Sequence, residues 1–150
     1  MKLKIRSSEE MEQLGVKLAK FLRAGDVVLL EGTLGAGKTT LTRGIGEGLG
    51  ASGTVQSPTF VLARTHKTQA GPKLVHVDAY RLGSAVELDD LDIDFERSIV
   101  VIEWPRDFLD GVAESFLKVA IDRASEDDVR ELDISANGDR WREVVDALSN

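Results

Sequence analysis

Gly32-Thr33-Leu34-Gly35-Ala36-Gly37-Lys38-Thr39 reads "GTLGAGKT", and this stretch decides the fold. It fits the pattern G-x-x-x-x-G-K-[ST], which carries physical meaning only between a strand and the start of a helix. Both flanks are right. "VVLLE" (27–31) is a continuous apolar run of the kind buried on both faces of a parallel sheet. "TTLTRGIGEGL" (39–49) reads as a helix, with Gly50 placed to end it. In that setting glycines let successive backbone N–H groups turn inward as an anion nest, and the helix N-terminus adds positive potential. Lys38 then reaches the β- and γ-phosphates of a nucleoside triphosphate, and the Thr39 hydroxyl serves Mg²⁺. A Gly-rich turn with an incidental lysine is the plainer alternative, and the two correct flanks weigh against it. The helix has an oddity of its own, because Gly44, Gly46 and Gly48 alternate through it. Each interior glycine costs a helix about 1 kcal/mol relative to Ala. Either another backbone packs very close, or the last turns are loose.

Working outward, "KLKI" (2–5) is a short strand, and Ser7-x-x-Glu10 is a capping box opening a helix that runs to about Leu22. "TVQSPTFVLART" (54–65) is extended, since Ser57 precedes a proline. "KTQAGPK" (67–73) is a hairpin-like turn, "LVHVD" (74–78) a second buried strand and "SIVVIE" (98–103) a third. Ser84-x-x-Glu87 starts a short acidic helix between them. "FLKVAID" (116–122) and "VRELDIS" (129–135) bracket a polar turn, and "DRWREVVDALS" (139–149) is a closing amphipathic helix. The order predicts a single α/β domain over residues 1–150. It is a P-loop NTPase-like three-layer fold with a mostly parallel central sheet and a C-terminal antiparallel hairpin.

Composition narrows the setting. The 150 residues include no Cys, which excludes disulfides and thiolate metal sites and makes a reducing cytoplasm the natural location. The opening "MKLKIRSSEEMEQLG" turns acidic before an apolar run forms, so neither a secretion signal nor a membrane span is expected. The net charge of −7 is divided unevenly: residues 1–75 hold 11 Lys and Arg against 6 Asp and Glu, and residues 76–150 hold 8 against 20. An acidic chain is a poor unaided ligand for nucleic acid, so any RNA is expected to be held mainly by a partner.

Two strand ends offer an acid to the metal: Asp78 closes "LVHVD" and Glu103 closes "SIVVIE". Ligands of open α/β sheets bind at such carboxyl ends. A buried strand must nevertheless end in something polar, and from spacing alone either acid can be the ligand. Trp104, next to Glu103, is read as a site residue, and Trp141, among Val144, Val145 and Leu148, as core. His76 lies two residues before Asp78 on the same strand face, and a locally hydrogen-bonded buried histidine is the expectation, with orienting Asp78 one use for it and a metal role requiring companions. His66, near a turn, is expected to be solvated. Arg81 either faces phosphate or pairs with the acids of "ELDDLDIDFE" (87–96), whose alternation suits a solvated amphipathic face.

"GTLGAGKTT", "SPTF", "HVDAYRL" and "IEWP", in this order and spacing, resemble the bacterial TsaE (YjeE) family, the small ATPase component of tRNA threonylcarbamoyladenosine synthesis. The resemblance spans about Ser8 to Asp122. It implies that Thr39 and Glu103 take Mg²⁺ and that Gly35, Ala36, Gly37, Lys38, Thr39 and Thr40 wrap the phosphates of ATP. Asp78 would lie by the γ-phosphate and support hydrolysis. Thr59 would sense the terminal phosphate, Trp104 and Arg106 would lie close to the nucleotide, and Ser8 beside the base. It further implies action on a TsaB–TsaD complex, with tRNA met indirectly through those partners. Guanine-specific switches carry an N-K-x-D motif, which neither of the two asparagines, Asn137 and Asn150, begins; ATP is the expected nucleotide. Three classes stay open at this level: an ATPase that rearranges a complex, a small-molecule P-loop kinase, and a nucleotide-gated binding module. The arginines after Glu103 are scattered with no compact insert resembling a kinase lid, which favours the first class over the second.

Overall fold

The computed structural model describes residues 1–32, 35–53, 63–79, 92–104, 114–124 and 128–149. Its elements run β1 (Lys2–Ile5), α1 (Ser8–Ala19), β2 (Val27–Gly32), α2 (Lys38–Leu49), β3 (Ala63–His66), β4 (Lys73–Asp78), β5 (Ser98–Trp104), β6 (Phe116–Arg123), β7 (Arg130–Asn137) and, after a single 3₁₀ turn at Asp139–Trp141, α3 (Arg142–Leu148). The strands form one seven-stranded sheet in the order β1-β7-β6-β2-β5-β4-β3. Its centre, β6-β2-β5-β4, is parallel. Antiparallel β7 and β1 extend one edge, and antiparallel β3 the other. The α/β class and mostly parallel sheet expected from sequence are present. The late hairpin does more than decorate an edge, since its first strand, β6, lies directly beside β2 and parallel to it.

Alternation sorts the central strands into two faces. Val28, Leu30, Ile99, Val101, Leu74, Leu117, Val119 and Ile121 form one core with Met11 and Leu18 of α1, Leu41 and Ile45 of α2, and Trp141, Val144 and Leu148 at the chain's end. Trp141 is fully buried and its Nε1 donates to Ser115 Oγ at 3.1 Å, as suits an indole in a core. Val27, Leu29, Val75, Val77, Val100 and Ile102 form a smaller cluster on the opposite face. The acidic helix expected at Ser84 and the extended segment at 54–62 fall outside the described residues.

The alternating glycines now have a physical reason. A Cβ on Gly44 would lie 2.1 Å from the Glu12 carbonyl oxygen of α1, and one on Gly48 would lie 2.6 Å from Ala19 Cβ and 2.9 Å from the Val16 carbonyl. Reciprocally, a Cβ on Gly15 would meet the Leu41 carbonyl at 2.4 Å. The two helices therefore touch backbone to backbone, and close approach, not looseness, accounts for Gly15, Gly44 and Gly48. At the start of α1, Ser7 Oγ accepts the Glu10 amide at 3.1 Å, while the Glu10 carboxylate takes the Arg6 amide at 2.8 Å, one residue ahead of the usual capping-box partner.

Candidate functional site

Gly32 ends β2, with β5 and β6 on either side, and the described part of the glycine-rich stretch, from Gly35, leads into α2. Two glycines hold its turn, Gly35 at φ +78° and Gly37 at φ +118°, a region that side-chain-bearing residues avoid. Gly37 is the N-cap of α2, no side chain caps that helix, and its first turn contains no acid. Such a start keeps its positive potential for an external anion.

Lys38 occupies the first turn, only 7% exposed, and its Nζ donates to the Gly32 carbonyl at 2.7 Å. Burial pushes its pKa down from the ordinary 10.5, while the charges of Glu103 and Asp78 push it back up. These two acids are cross-strand neighbours in register, on the same sheet face as Leu30. Glu103 is 5% exposed. His76 is fully buried, and its Nε2 lies 2.5 Å from Glu103 Oε2. Burial of His76 is as expected, but its hydrogen bond is not local: it goes to Glu103, diagonally across to the adjacent strand.

A cavity of about 120 Å³ opens on the other side of the loop, lined by Ser8, Met11, Gly35, Gly37, Thr40 and Arg130 among others. It could enclose part of a nucleotide and not the whole, since sites that engulf drug-sized ligands run to about 300 Å³ or more. Arg130 Nε donates to the Ala36 carbonyl at 3.1 Å and Arg123 Nη2 to the Gly35 carbonyl at 3.3 Å. Arg123 and Arg130 face each other across the β6–β7 pairing, so the hairpin delivers two cations to the loop. Neither was singled out from sequence, where the arginines look scattered. The missing information was the position of β6 beside β2, which apolar periodicity does not encode.

Ser8, Gly35, Ala36, Gly37 and Thr40 thus line the one cavity, Lys38 lies within reach of the charges of Asp78 and Glu103, and Thr39 follows it in the first turn of α2. Trp104 closes β5, but its side chain, like Thr59 and Arg106, lies outside the described residues. His66 corrects the expectation of a solvated ring: it is 9% exposed, with Nδ1 3.1 Å from the Ser52 carbonyl. The strand pairing of β3 with β4 draws it under the turn that follows α2.

A buried ammonium, an uncapped helix start and a glycine turn suit a polyphosphate. Glu103 adds a hard oxygen ligand of the kind Mg²⁺ takes alongside phosphate oxygens. A Cβ at Gly37 or Gly35 would meet only the flexible ends of Met11 and Arg123, so it is the positive φ at both positions, and not crowding, that calls for glycine in this turn.

A parallel sheet with this loop between its central strand and the following helix defines a P-loop NTPase-like protein. The family model of "Threonylcarbamoyl adenosine biosynthesis protein TsaE" matches residues 5–132. The chain is 53% identical to the tRNA threonylcarbamoyladenosine biosynthesis protein TsaE of Streptomyces coelicolor, over 87% of this chain and 93% of that protein. It is 36% identical to the TsaE of Bacillus subtilis, over 99% and 94% respectively. The crystal structure of Bacillus subtilis YdiB superposes with a TM-score of 0.77 at 34% identity, covering 99% of this chain and 93% of that one. The chain belongs to the TsaE family, which acts in tRNA threonylcarbamoyladenosine biosynthesis.

Proposed function

We propose that this chain is a Mg²⁺-dependent ATP-binding protein and slow ATPase whose nucleotide cycle drives a conformational step in tRNA threonylcarbamoyladenosine synthesis, acting on a TsaB–TsaD type complex. The observation that carries this reading is Lys38: a buried cation at an uncapped helix N-terminus, opposed by two strand-end carboxylates. The charges of Glu103 and Asp78 offset part of the cost of burying this ammonium, and its place at an uncapped helix start suits a triphosphate as its ligand.

In this reading the amides of Gly35 to Thr40 wrap the phosphates and Lys38 bridges the β- and γ-groups. Thr39 and Glu103 hold Mg²⁺, which when bound spreads the charge developing on the phosphate oxygens. Asp78 stands beside the terminal phosphate and orients the attacking water. Ser8 and Arg130 border the nucleoside side of the loop. Thr59, Trp104 and Arg106 complete the nucleotide's surroundings, with Thr59 responding to the terminal phosphate. The phosphate goes to water, and the product that matters is a change of shape passed to the partners, which hold the tRNA. An isolated P-loop protein without a supplied transition-state charge turns over slowly, and partners raise such rates by orders of magnitude.

Calorimetric titration of ATP with Mg²⁺ into the wild-type chain and into Lys38→Ala tests the site. Heat of binding from the first and none from the second is the expected result, and no heat from folded wild-type protein overturns the proposal. Phosphate release, alone and with TsaB–TsaD, then separates the classes. Release stimulated by partners marks an ATPase, phosphate on a small acceptor marks a kinase, and no release under either condition leaves a binding module.

A further inference from the structure

We propose that His76 is a positioning residue that fixes the carboxylate of Glu103 for the divalent cation; this rests on the reading of Glu103 as a metal ligand. In the sheet register Asp78 stands opposite Glu103, and His76 stands opposite Val101. His76 and Glu103 are therefore diagonal neighbours on one face, with the imidazole leaning toward the carboxyl ends of the strands. The Nε2···Oε2 distance is 2.5 Å, with side-chain exposures of 0% and 6%. The pairing of β4 with β5 creates this contact.

The proton can be placed by elimination. His76 Nδ1 is buried and has no hydrogen-bond partner among the described residues. If Nδ1 carried the hydrogen, an N–H would be orphaned in the core and the Nε2 lone pair would face a carboxylate oxygen, two penalties at once. With the hydrogen on Nε2, the ring donates to Glu103 and leaves only an unsatisfied acceptor. His76 is thus a fixed donor to one oxygen of Glu103. The carboxylate's other oxygen remains for the cation, and the freedom of the glutamate side chain is removed before the cation arrives. Outer donors of this type set ligand orientation, and their loss typically lowers metal affinity by about 10- to 100-fold.

The experiment measures ATP affinity of the full chain in a Mg²⁺ series and in EDTA, for wild type, His76→Gln, His76→Leu, Glu103→Gln and the double substitution His76→Leu with Glu103→Gln. Thermal unfolding of each accompanies the titrations. His76→Gln keeps a donor near the Nε2 position and should need Mg²⁺ at close to the wild-type concentration. His76→Leu keeps apolar bulk and loses the donor; its half-saturating Mg²⁺ should rise about 10-fold or more, with EDTA affinity unchanged. Because His76 acts through Glu103, adding His76→Leu to Glu103→Gln should cause no further rise. A purely packing role predicts the reverse ranking, with Leu closer to wild type than Gln, and that ranking overturns the proposal. So does an equal loss of affinity in EDTA, or additivity in the double substitution. Should His76→Leu fail to fold, His76→Asn carries the same comparison, since its amide stops short of the Nε2 position. If Glu103→Gln abolishes the Mg²⁺ requirement and His76→Leu leaves it untouched, only the role of His76 falls. If wild-type binding ignores Mg²⁺, the metal reading of Glu103 falls and takes this inference with it.

Discussion

Gly44→Ala should destabilise the protein, although helix propensity alone says the opposite. Gly44 lies inside α2, where Ala is better than Gly by about 1 kcal/mol. The new methyl carbon, however, would sit 2.1 Å from the Glu12 carbonyl oxygen, with the carbonyl carbon and Cα of Glu12 at 2.9 and 3.1 Å. All three atoms are backbone, so no rotamer change relieves the clash. Reaching ordinary contact at roughly 3.5 Å requires the helices to part by more than about 1 Å, in an interior that packs like a crystal. Overpacking of this kind costs up to about 3 kcal/mol, leaving a net loss near 2 kcal/mol after the propensity gain. For a chain of this length that lowers Tm by about 4–8 °C. Denaturant unfolding and calorimetry on the apo protein measure it. Gly15→Ala, whose methyl would meet the Leu41 carbonyl at 2.4 Å, wedges the same seam from the other helix. The two losses should therefore combine to less than their sum, because helices already parted accept the second methyl more easily. Met11 rides on α1 and contacts the Gly37 position, so ATP affinity should also fall several-fold. An unchanged or raised Tm for Gly44→Ala would refute the close-packed seam and the reason given for the glycines.

Lys38→Met should abolish Mg²⁺-ATP binding while leaving apo Tm unchanged or slightly higher, because it removes a buried charge; calorimetry and thermal unfolding check both. The folded-state pKa of Lys38 lies below its unfolded value of 10.5, with burial as the leading cause. Between those two values the unfolded chain binds more protons, so this residue makes apo stability rise with pH there. Comparison with Lys38→Met over the alkaline range should show that increment missing from the variant. Asp78→Ala should keep nucleotide affinity within a few-fold and stop phosphate release, whereas Glu103→Ala should lose the Mg²⁺ dependence; the opposite pattern means that the two acids exchange roles. Trp141→Ala should cost about 3–5 kcal/mol, read by denaturant unfolding, because the ring is fully buried and its Nε1 is hydrogen-bonded to Ser115.

What was legible in the sequence was what local physics dictates. The strand before Gly32, the helix after Gly37, the stop at Gly50 and the burial of Trp141 each follow from patterns a few residues long. What was not legible depends on which strands become neighbours. Two readings of the alternating glycines stood open until α1 was found lying along α2, because a sequence does not say which surface meets Gly44. The partner of His76 was hidden for the same reason: Glu103 is 27 residues away in the chain and meets the ring only once β4 pairs with β5. Arg123 and Arg130 show the effect most strongly, since β6 must first lie beside β2 before two hairpin arginines can reach the carbonyls of Gly35 and Ala36. Their placement also has a consequence for the site. Two cations directly across a strand pair repel, and each donates to a loop carbonyl, Arg123 to Gly35 and Arg130 to Ala36. They join the hairpin to the same turn whose amides would wrap the phosphates. The described part of the loop, from Gly35 onward, is therefore tied to the β6–β7 hairpin as well as to α2, so the amides that would meet a triphosphate are held by two elements and not one.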